Sequence, residues 1–392
     1  MTRFDAIVVG AGPAGSALAA NLARDGTRVL LVERAHHPRP KACAEYASPM
    51  IVEELVRIGL PPAAWSDDAV ALSGMDIHAG GHAARITHAD RAGRRTAWGL
   101  DRRGFDERLA AHAAASGAEV REGARVVGLA ADDAGRISGA RIRDTASGDE
   151  RTIGADWVIG ADGARSSAAR LLGVERAVRF PRRLGLVAHY TGDPTLTDHG
   201  EMHVGRGWYV GLAPTPDGEL NVGMALPMAD GGRPAAMRFE AAIDGLPAVA
   251  RRLEHSERLG AIRGAAPIGH RVSDVAGPGW LLIGDAAGFV DPFTGEGIHR
   301  ALRSARAAAD ALRSGGDVAA DYRRERRRAF AAKSTLSWLV QGFLAVPPLL
   351  EHAVGRLEAR PGAALKLGSS LGDCRPAMAA LSPSALVELL RP

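Results

Sequence analysis

The residues Gly10-Ala11-Gly12-Pro13-Ala14-Gly15 stand between an apolar run and a stretch of helix formers, the spacing of a backbone cradle for a pyrophosphate. Gly10 permits a tight turn, Gly12 lets backbone amides approach the phosphates, and Gly15 allows strand and helix to pack closely. Pro13 and Ala14 open the helix whose N-terminus faces the anion. Glu33 follows at the end of the next apolar run, with Arg34 beside it, where a carboxylate can accept hydrogen bonds from a ribose hydroxyl. A second strand-loop-helix setting holds Gly284-Asp285-Ala286-Ala287-Gly288, then Pro292 and Gly295-Glu296-Gly297-Ile298. A carboxylate there can hold a polyol chain while helix amides face developing negative charge. A nicotinamide dinucleotide has no ribityl chain to require this; a flavin has one.

These residues need a sheet to hold them. Four short apolar runs, Ala6–Val9, Arg28–Val32, Trp157–Ile159 and Trp280–Ile283, each end in glycine or acid and read as strands buried on both faces. Helical patterns follow at Ser16 to Asp25, Ala164 to Leu172 and Gly297 to Arg313, an alternation that argues for a doubly wound α/β domain. The stretch from Arg179 to Gly264 differs. Leu184 to Tyr190, Glu201 to Leu212 and Leu220 to Leu226 read as strands separated by turn signals such as Pro216-Asp217-Gly218. The expected fold is therefore α/β: a Rossmann-type FAD-binding domain interleaved with an antiparallel β-sheet substrate domain and a helical C-terminus. The FAD-binding domain takes residues 1–75, 99–178 and 265–328, the substrate sheet 76–98 and 179–264, and the C-terminal helical region 329–392.

A chain of 392 residues, 46% hydrophobic and 24% charged, excludes a disulfide-stapled mini-protein and a disordered chain. Its two cysteines, Cys43 and Cys374, make no oxidative framework, and the N-terminus enters an apolar run with no leader pattern, so a reducing cytoplasm is expected. The uncharged stretch Ser334 to Leu350 lies at the lower limit for spanning a bilayer and reads as a buried or interfacial helix; membrane contact is not favoured. The Arg323–Arg328 patch lacks aromatics for base stacking and reads as a solvated helix face, so no nucleic-acid partner is expected.

The dinucleotide turn with Glu33, the segment Gly160-Ala161-Asp162-Gly163-Ala164-Arg165-Ser166 and the Gly284-Asp285 segment together resemble the three fingerprints of flavoprotein hydroxylases of the p-hydroxybenzoate hydroxylase fold. The resemblance covers about residues 4 to 315. Lys41-Ala42-Cys43-Ala44-Glu45 and Gly295-Glu296-Gly297-Ile298 resemble the branch that contains geranylgeranyl reductases and their monooxygenase relatives. The resemblance implies that the Rossmann-type FAD-binding domain is glutathione reductase-like and holds FAD non-covalently, with Asp285 at the ribityl chain, Arg102 near the pyrophosphate, and the Gly297 and Ile298 amides at the pyrimidine edge. Asp162 would brace the site, and Lys41, Cys43 and Val126 join Pro292 and Gly295 among the cofactor-lining positions.

Two departures bear on substrate. Ala44 stands where the branch has Gly, and Gly207-Trp208-Tyr209-Val210-Gly211-Leu212 replaces the aromatic and lysine-bearing strand of the reductases. The leading expectation is accordingly an FAD-dependent monooxygenase acting on an apolar, aromatic or polyketide-type small molecule with molecular oxygen. The alternative is a reductase saturating isoprenoid double bonds, and the third a flavin-binding module without turnover. No second GxGxxG opens a helix, so NAD(P)H is a transient reductant or a separate reductase delivers electrons. His203 and Tyr209, with His189 and Tyr190, sit on strands of the inserted sheet as candidate catalytic groups. The histidines form no HxxxH or HExxH pattern with an acidic partner, so no metal site is expected.

Overall fold

A computed structural model describes residues 3–192, 196, 198–228 and 232–390. The four both-face-buried runs form neighbouring parallel strands. Arg3–Val9 lies between Val29–Val32 and Glu150–Gly160, with Val8 opposite both Leu31 and Ile159; Trp280–Leu282 joins the far side of Glu150–Gly160. Glu119–Arg121 extends one edge in parallel, and Ile137–Asp144 with Ala124–Ala131 extends the other in antiparallel fashion. Helix Pro13–Ala23 is buried at every residue but Asn21, because it is wedged against Arg102–Ala115 and Gly297–Arg313; its alanines allow that close packing.

The second sheet runs Arg258–Ala265, Arg183–Thr191, Glu219–Pro227, Tyr209–Pro214, Gly200–Val204, Gly74–Ala79, His82–Asp90 and Gly93–Arg95. All neighbours are antiparallel except Gly200–Val204 with Gly74–Ala79. The expected α/β fold with an inserted sheet and a helical C-terminus is the one observed.

Three local readings need correction. Glu201 to Leu212 is a hairpin rather than one strand, because Gly205-Arg206-Gly207 turns the chain and Gly207 adopts φ 81°. Ala164 to Leu172 shortens to a helix over Ser167–Leu171, since Gly163 adopts φ 79° and Ser166 caps the helix at the Ala169 amide. Ser334 to Leu350 is not one helix: Val318–Ala345 ends at Val346 and Pro347–Ala359 leaves at a bend of 113°. The helix Val318–Ala345 also runs straight across position 329, where a separate C-terminal region was expected to begin.

Each face of the second sheet has its own apolar layer. Leu186, Ala188, Tyr190, Val210, Leu212, Leu220 and Val222 pack against helices Ala235–Asp244 and Pro247–Leu253. The opposite face, with Ile77, Met202, Tyr209 and Ala225, packs against Leu344, Leu350, Val354 and Leu357 of the C-terminal helices and against Phe293. That second face therefore meets the Gly284–Gly297 region.

Candidate functional site

The glycine turn divides into packed and open positions. A Cβ on Gly15 would lie 1.9 Å from the Gly10 carbonyl oxygen, and one on Gly10 would lie 2.8 Å from that of Ala161. Gly10 also adopts φ 103°. Gly12 differs: its added Cβ would meet only Arg39 Nη2, at 3.7 Å. Gly12 is the N-cap of helix Pro13–Ala23 and contributes no side-chain cap, so the first-turn amides remain open to a ligand.

Glu33 is buried, and its carboxylate accepts hydrogen bonds from the amides of Ala11 at 3.0 Å and Ala35 at 3.1 Å. A carboxylate has about four acceptor sites, so capacity remains for a ribose hydroxyl. Arg39 lies 3.4 Å from Glu33 and 3.6 Å from Asp106, and its buried Nε has no hydrogen-bond partner. Arg39 was not singled out in the sequence; the signal was a basic residue between Pro38 and Pro40, one short loop beyond the acid. Arg34, just beyond the strand Val29–Val32, is exposed.

Arg102 is buried, and its guanidinium is engaged by protein groups. Its Nε and Nη2 donate to Asp106 at 2.8 and 2.9 Å, and Nη1 lies 3.2 Å from Cys43 Sγ. The buried pair supports the Lys41–Glu45 loop from beneath. Asp162 accepts from Ser166 Oγ, Ser167 N, Ser167 Oγ and Ala168 N, so it fixes the start of helix Ser167–Leu171. Val126 is buried in the sheet opposite Ile142, which leaves only its backbone to a ligand.

The second half of the cradle closes on the first. Gly284 adopts φ 58°, and a Cβ there would lie 2.9 Å from that of Ala14, so the Asp285 turn abuts the start of helix Pro13–Ala23. The half-buried Asp285 carboxylate makes no side-chain hydrogen bond among the described residues. Pro292 opens the turn Pro292–Thr294, and Gly295 ends it in the left-handed region at φ 66°. A Cβ on Gly295 would lie 2.6 Å from the Tyr46 ring. Gly297 begins the next helix with open space where its Cβ would be and no side-chain cap before it; Ile298 is buried behind it.

The candidate catalytic residues do not converge. Strand register places Met202 and Tyr209 on one face of the second sheet and His203 on the other, since His203 pairs with Val210 of the opposite layer. The Tyr209 hydroxyl donates to Asp291 at 2.6 Å, and Arg183 Nη1 donates to Asp291 at 2.5 Å and Gln341 at 2.6 Å. Burial and the Asp291 carboxylate push the Tyr209 phenol well above its ordinary value, so it stays a protonated donor and is no general base. Tyr190 packs on Phe239 away from this face.

His189 does share the Tyr209 face, at the opposite end. Its Nε2 lies 2.8 Å from Glu45 Oε2, which also accepts from Asn221 Nδ2 at 2.8 Å. The hydrogen bond to Glu45 raises the His189 pKa in spite of burial. Glu45 adopts φ 57° and is buried; that left-handed backbone turns its carboxylate into the sheet, a placement its neighbours in sequence do not announce.

His203 belongs to a cluster that spacing along the chain could not reveal. Gly200–Val204 pairs in parallel with Gly74–Ala79, which puts His203 beside His78, and the ligand atoms of His78, Glu201 and His203 all lie within 4.8 Å. The two rings stack at 4.4 Å, and the Arg252 guanidinium is hydrogen-bonded to Glu201. A resident cation on the same carboxylate opposes a second one.

The profile of the FAD binding domain family matches residues 3–239. The chain belongs to that family. This flavoprotein is 35% identical over 333 residues to a menaquinone reductase of Mycolicibacterium smegmatis, covering 80% of this chain and 78% of the relative. It is 31% identical over 327 residues to a digeranylgeranylglycerophospholipid reductase of Methanosarcina acetivorans, covering 80% and 77%. Among solved structures, a geranylgeranyl bacteriochlorophyll reductase-like protein from Thermoplasma acidophilum superposes with a TM-score of 0.82 at 23% identity, over 100% of this chain and 97% of the other. A flavin-dependent brominase gives 0.83 at 20%, over 99% of each. At such identities the two structures speak to fold alone. The protein is an FAD-dependent oxidoreductase, and its cradle fits that cofactor: two uncapped helix starts, two glycines with open space before them, and the partnerless Arg39 Nε at the dinucleotide turn.

Proposed function

We propose that this flavoprotein is a reductase that saturates a carbon–carbon double bond in an isoprenoid-bearing lipid. The observation that carries the reading is the 31–35% identity, over four-fifths of the chain, to relatives named as reductases of a prenylated quinone and of a digeranylgeranyl phospholipid. This reverses the order of the two readings drawn from the sequence, because halogenase neighbours at 18–20% identity share only the fold.

When bound and reduced by NAD(P)H or a partner reductase, FAD would supply the hydride. The protein supplies placement. Gly12 and Arg39 would hold the pyrophosphate, Glu33 the adenosine ribose, Asp285 the ribityl chain, and the helix start at Gly297 the pyrimidine edge. Tyr209, its hydroxyl proton committed to Asp291, fixes the Asp291–Arg183–Gln341 network at one end of the sheet face. His189 keeps a proton beside Glu45 at the other end, where it replenishes the proton that saturation consumes.

The test is turnover of a digeranylgeranyl phospholipid and of menaquinone under anaerobic conditions with chemically reduced enzyme. The expected product gains two hydrogen atoms per double bond. Turnover that requires oxygen, with label from isotopic oxygen gas appearing in product, would replace this reading with monooxygenation.

A further inference from the structure

We infer that the outer face of the long helix Val318–Ala345, together with the loop at Phe180, docks this protein on an anionic lipid surface. The helix carries two different stripes. Its inner stripe is polar and buried: Ser337 donates to Glu296, Gln341 accepts from Arg183, and Lys333 donates to the carbonyls of Ser370 and Leu371. Its outer stripe follows helical spacing through Arg324, Arg327, Ala331, Thr335, Trp338, Gly342 and Ala345, all exposed.

That outer stripe changes character along its length. The first turns are basic and the last are uncharged, ending at Trp338, which is 46% exposed, and Val346, 49% exposed. Phe180 from a separate loop stacks on Trp338 at 6.5 Å and is itself 51% exposed. Two large aromatic rings packed on one another yet open to solvent are no ordinary scatter of surface apolar groups. They form a small apolar platform where tryptophan is favoured at the boundary between headgroups and acyl chains.

The surrounding charge selects the occupant. Phe180 lies between Arg179 and Arg182, both exposed, and neither has an ion-pair partner among the described residues; the same holds for Arg327. The acids on this part of the helix are already engaged, Asp321 by Arg324 and Glu325 by Arg328. Aromatics flanked by uncompensated Arg179 and Arg182, with Arg327 roughly 16 Å along the same exposed stripe, match an interfacial helix attracted to anionic headgroups. No single helix among the described residues is long and apolar enough to cross a membrane, and the 113° bend after Ala345 breaks the longest candidate, so the geometry is that of a helix lying on the surface. The same helix lines the covered sheet face on its inner side through Leu344, which sets that face one helix diameter from the lipid. The docking surface does not depend on which reaction the flavin performs.

The experiment is vesicle flotation of the full chain with FAD bound, on phosphatidylcholine vesicles with or without phosphatidylglycerol. Binding is expected only with the anionic lipid and is expected to weaken as salt is raised. Replacing Arg179, Arg182 and Arg327 together with alanine should lower the partition coefficient about a hundredfold, at roughly fivefold per arginine. Phe180→Ser with Trp338→Ser should lower it at least tenfold, with flavin absorbance and melting temperature unchanged in both variants. Absence of vesicle binding, or variants that float like the parent, overturns the inference. So does a concentration-dependent dimer that the variants abolish, since that outcome assigns the surface to a second copy of the chain.

Discussion

Gly12→Ala separates cofactor binding from folding at one atom. In the protein alone the new methyl group meets only Arg39 Nη2 at 3.7 Å, an ordinary contact with the mobile end of a side chain, and the backbone there, φ −84° and ψ −175°, suits any residue. The apoprotein should therefore melt within about 0.5 kcal/mol of the parent. The same methyl group stands in front of the open amides of the first helical turn. Displacing a phosphate from two such donors, at about 1.5 to 3 kcal/mol each and with partial retention of both, costs about 3 kcal/mol, or roughly a hundredfold in Kd. The assay is titration of apoprotein with FAD, followed by quenching of flavin fluorescence, beside melting curves without FAD. Gly15→Ala is the contrast: a Cβ 1.9 Å from a backbone oxygen forces the turn apart, so this variant loses stability even without cofactor. If Gly12→Ala binds FAD with the parental Kd, the pyrophosphate does not lie against this turn and the placement is wrong.

Asp285→Ala should lower FAD affinity about tenfold or more, because its carboxylate makes no side-chain hydrogen bond among the described residues and is open to the ribityl chain, while the apoprotein loses only its attraction to Arg326 and to His270 and stays folded; undiminished flavin content in the purified variant counts against the ribityl assignment. In acid, burial acts to raise the Glu201 pKa, but His203 and Arg252 outweigh it and hold the group at about 2 against an ordinary 4.5. A depressed carboxyl pKa gives stability that is present above the ordinary value and is lost as pH falls toward the depressed one. Chemical denaturation of the parent should accordingly weaken by about 1 to 2 kcal/mol across that window, after solvent screening at Arg252, and the Glu201→Gln variant should lack this component; parallel acid profiles for the two proteins would contradict the assignment.

How much of this the sequence disclosed follows from how local each determinant is. The parallel strands announced themselves because burial on both faces leaves uninterrupted apolar runs, and the glycine turn because Gly10 and Gly15 sit where a Cβ collides with backbone. The hairpin within Glu201 to Leu212 was hidden because its turn, Gly205-Arg206-Gly207-Trp208, is flanked by residues that all favour strands, so the apolar pattern reads through it. Arg39, and the contacts of Glu45, are hidden for another reason. Arg39 is defined by a guanidinium whose Nη2 lies over Gly12 while its Nε is buried without a partner, Glu45 by a left-handed backbone that hands its carboxylate to His189 and Asn221; neither fact has a signature in neighbouring residue types.

The split between His203 and Tyr209 has the same origin and a larger consequence. Both lie in one hairpin and both are of types that move protons, yet alternation along a strand sends them to opposite faces once the register is fixed. A periodicity of two says that residues differ in face; it does not say which face the cofactor uses. Asp291 ties one of those faces to the glycine-rich segment: from beside Gly295 it accepts hydrogen bonds from the Tyr209 hydroxyl and from Arg183, the first a contact across 82 residues of chain. On the other face Glu201, hydrogen-bonded to His203, anchors the helix Pro247–Leu253 through Arg252, so the two faces of one hairpin serve different layers.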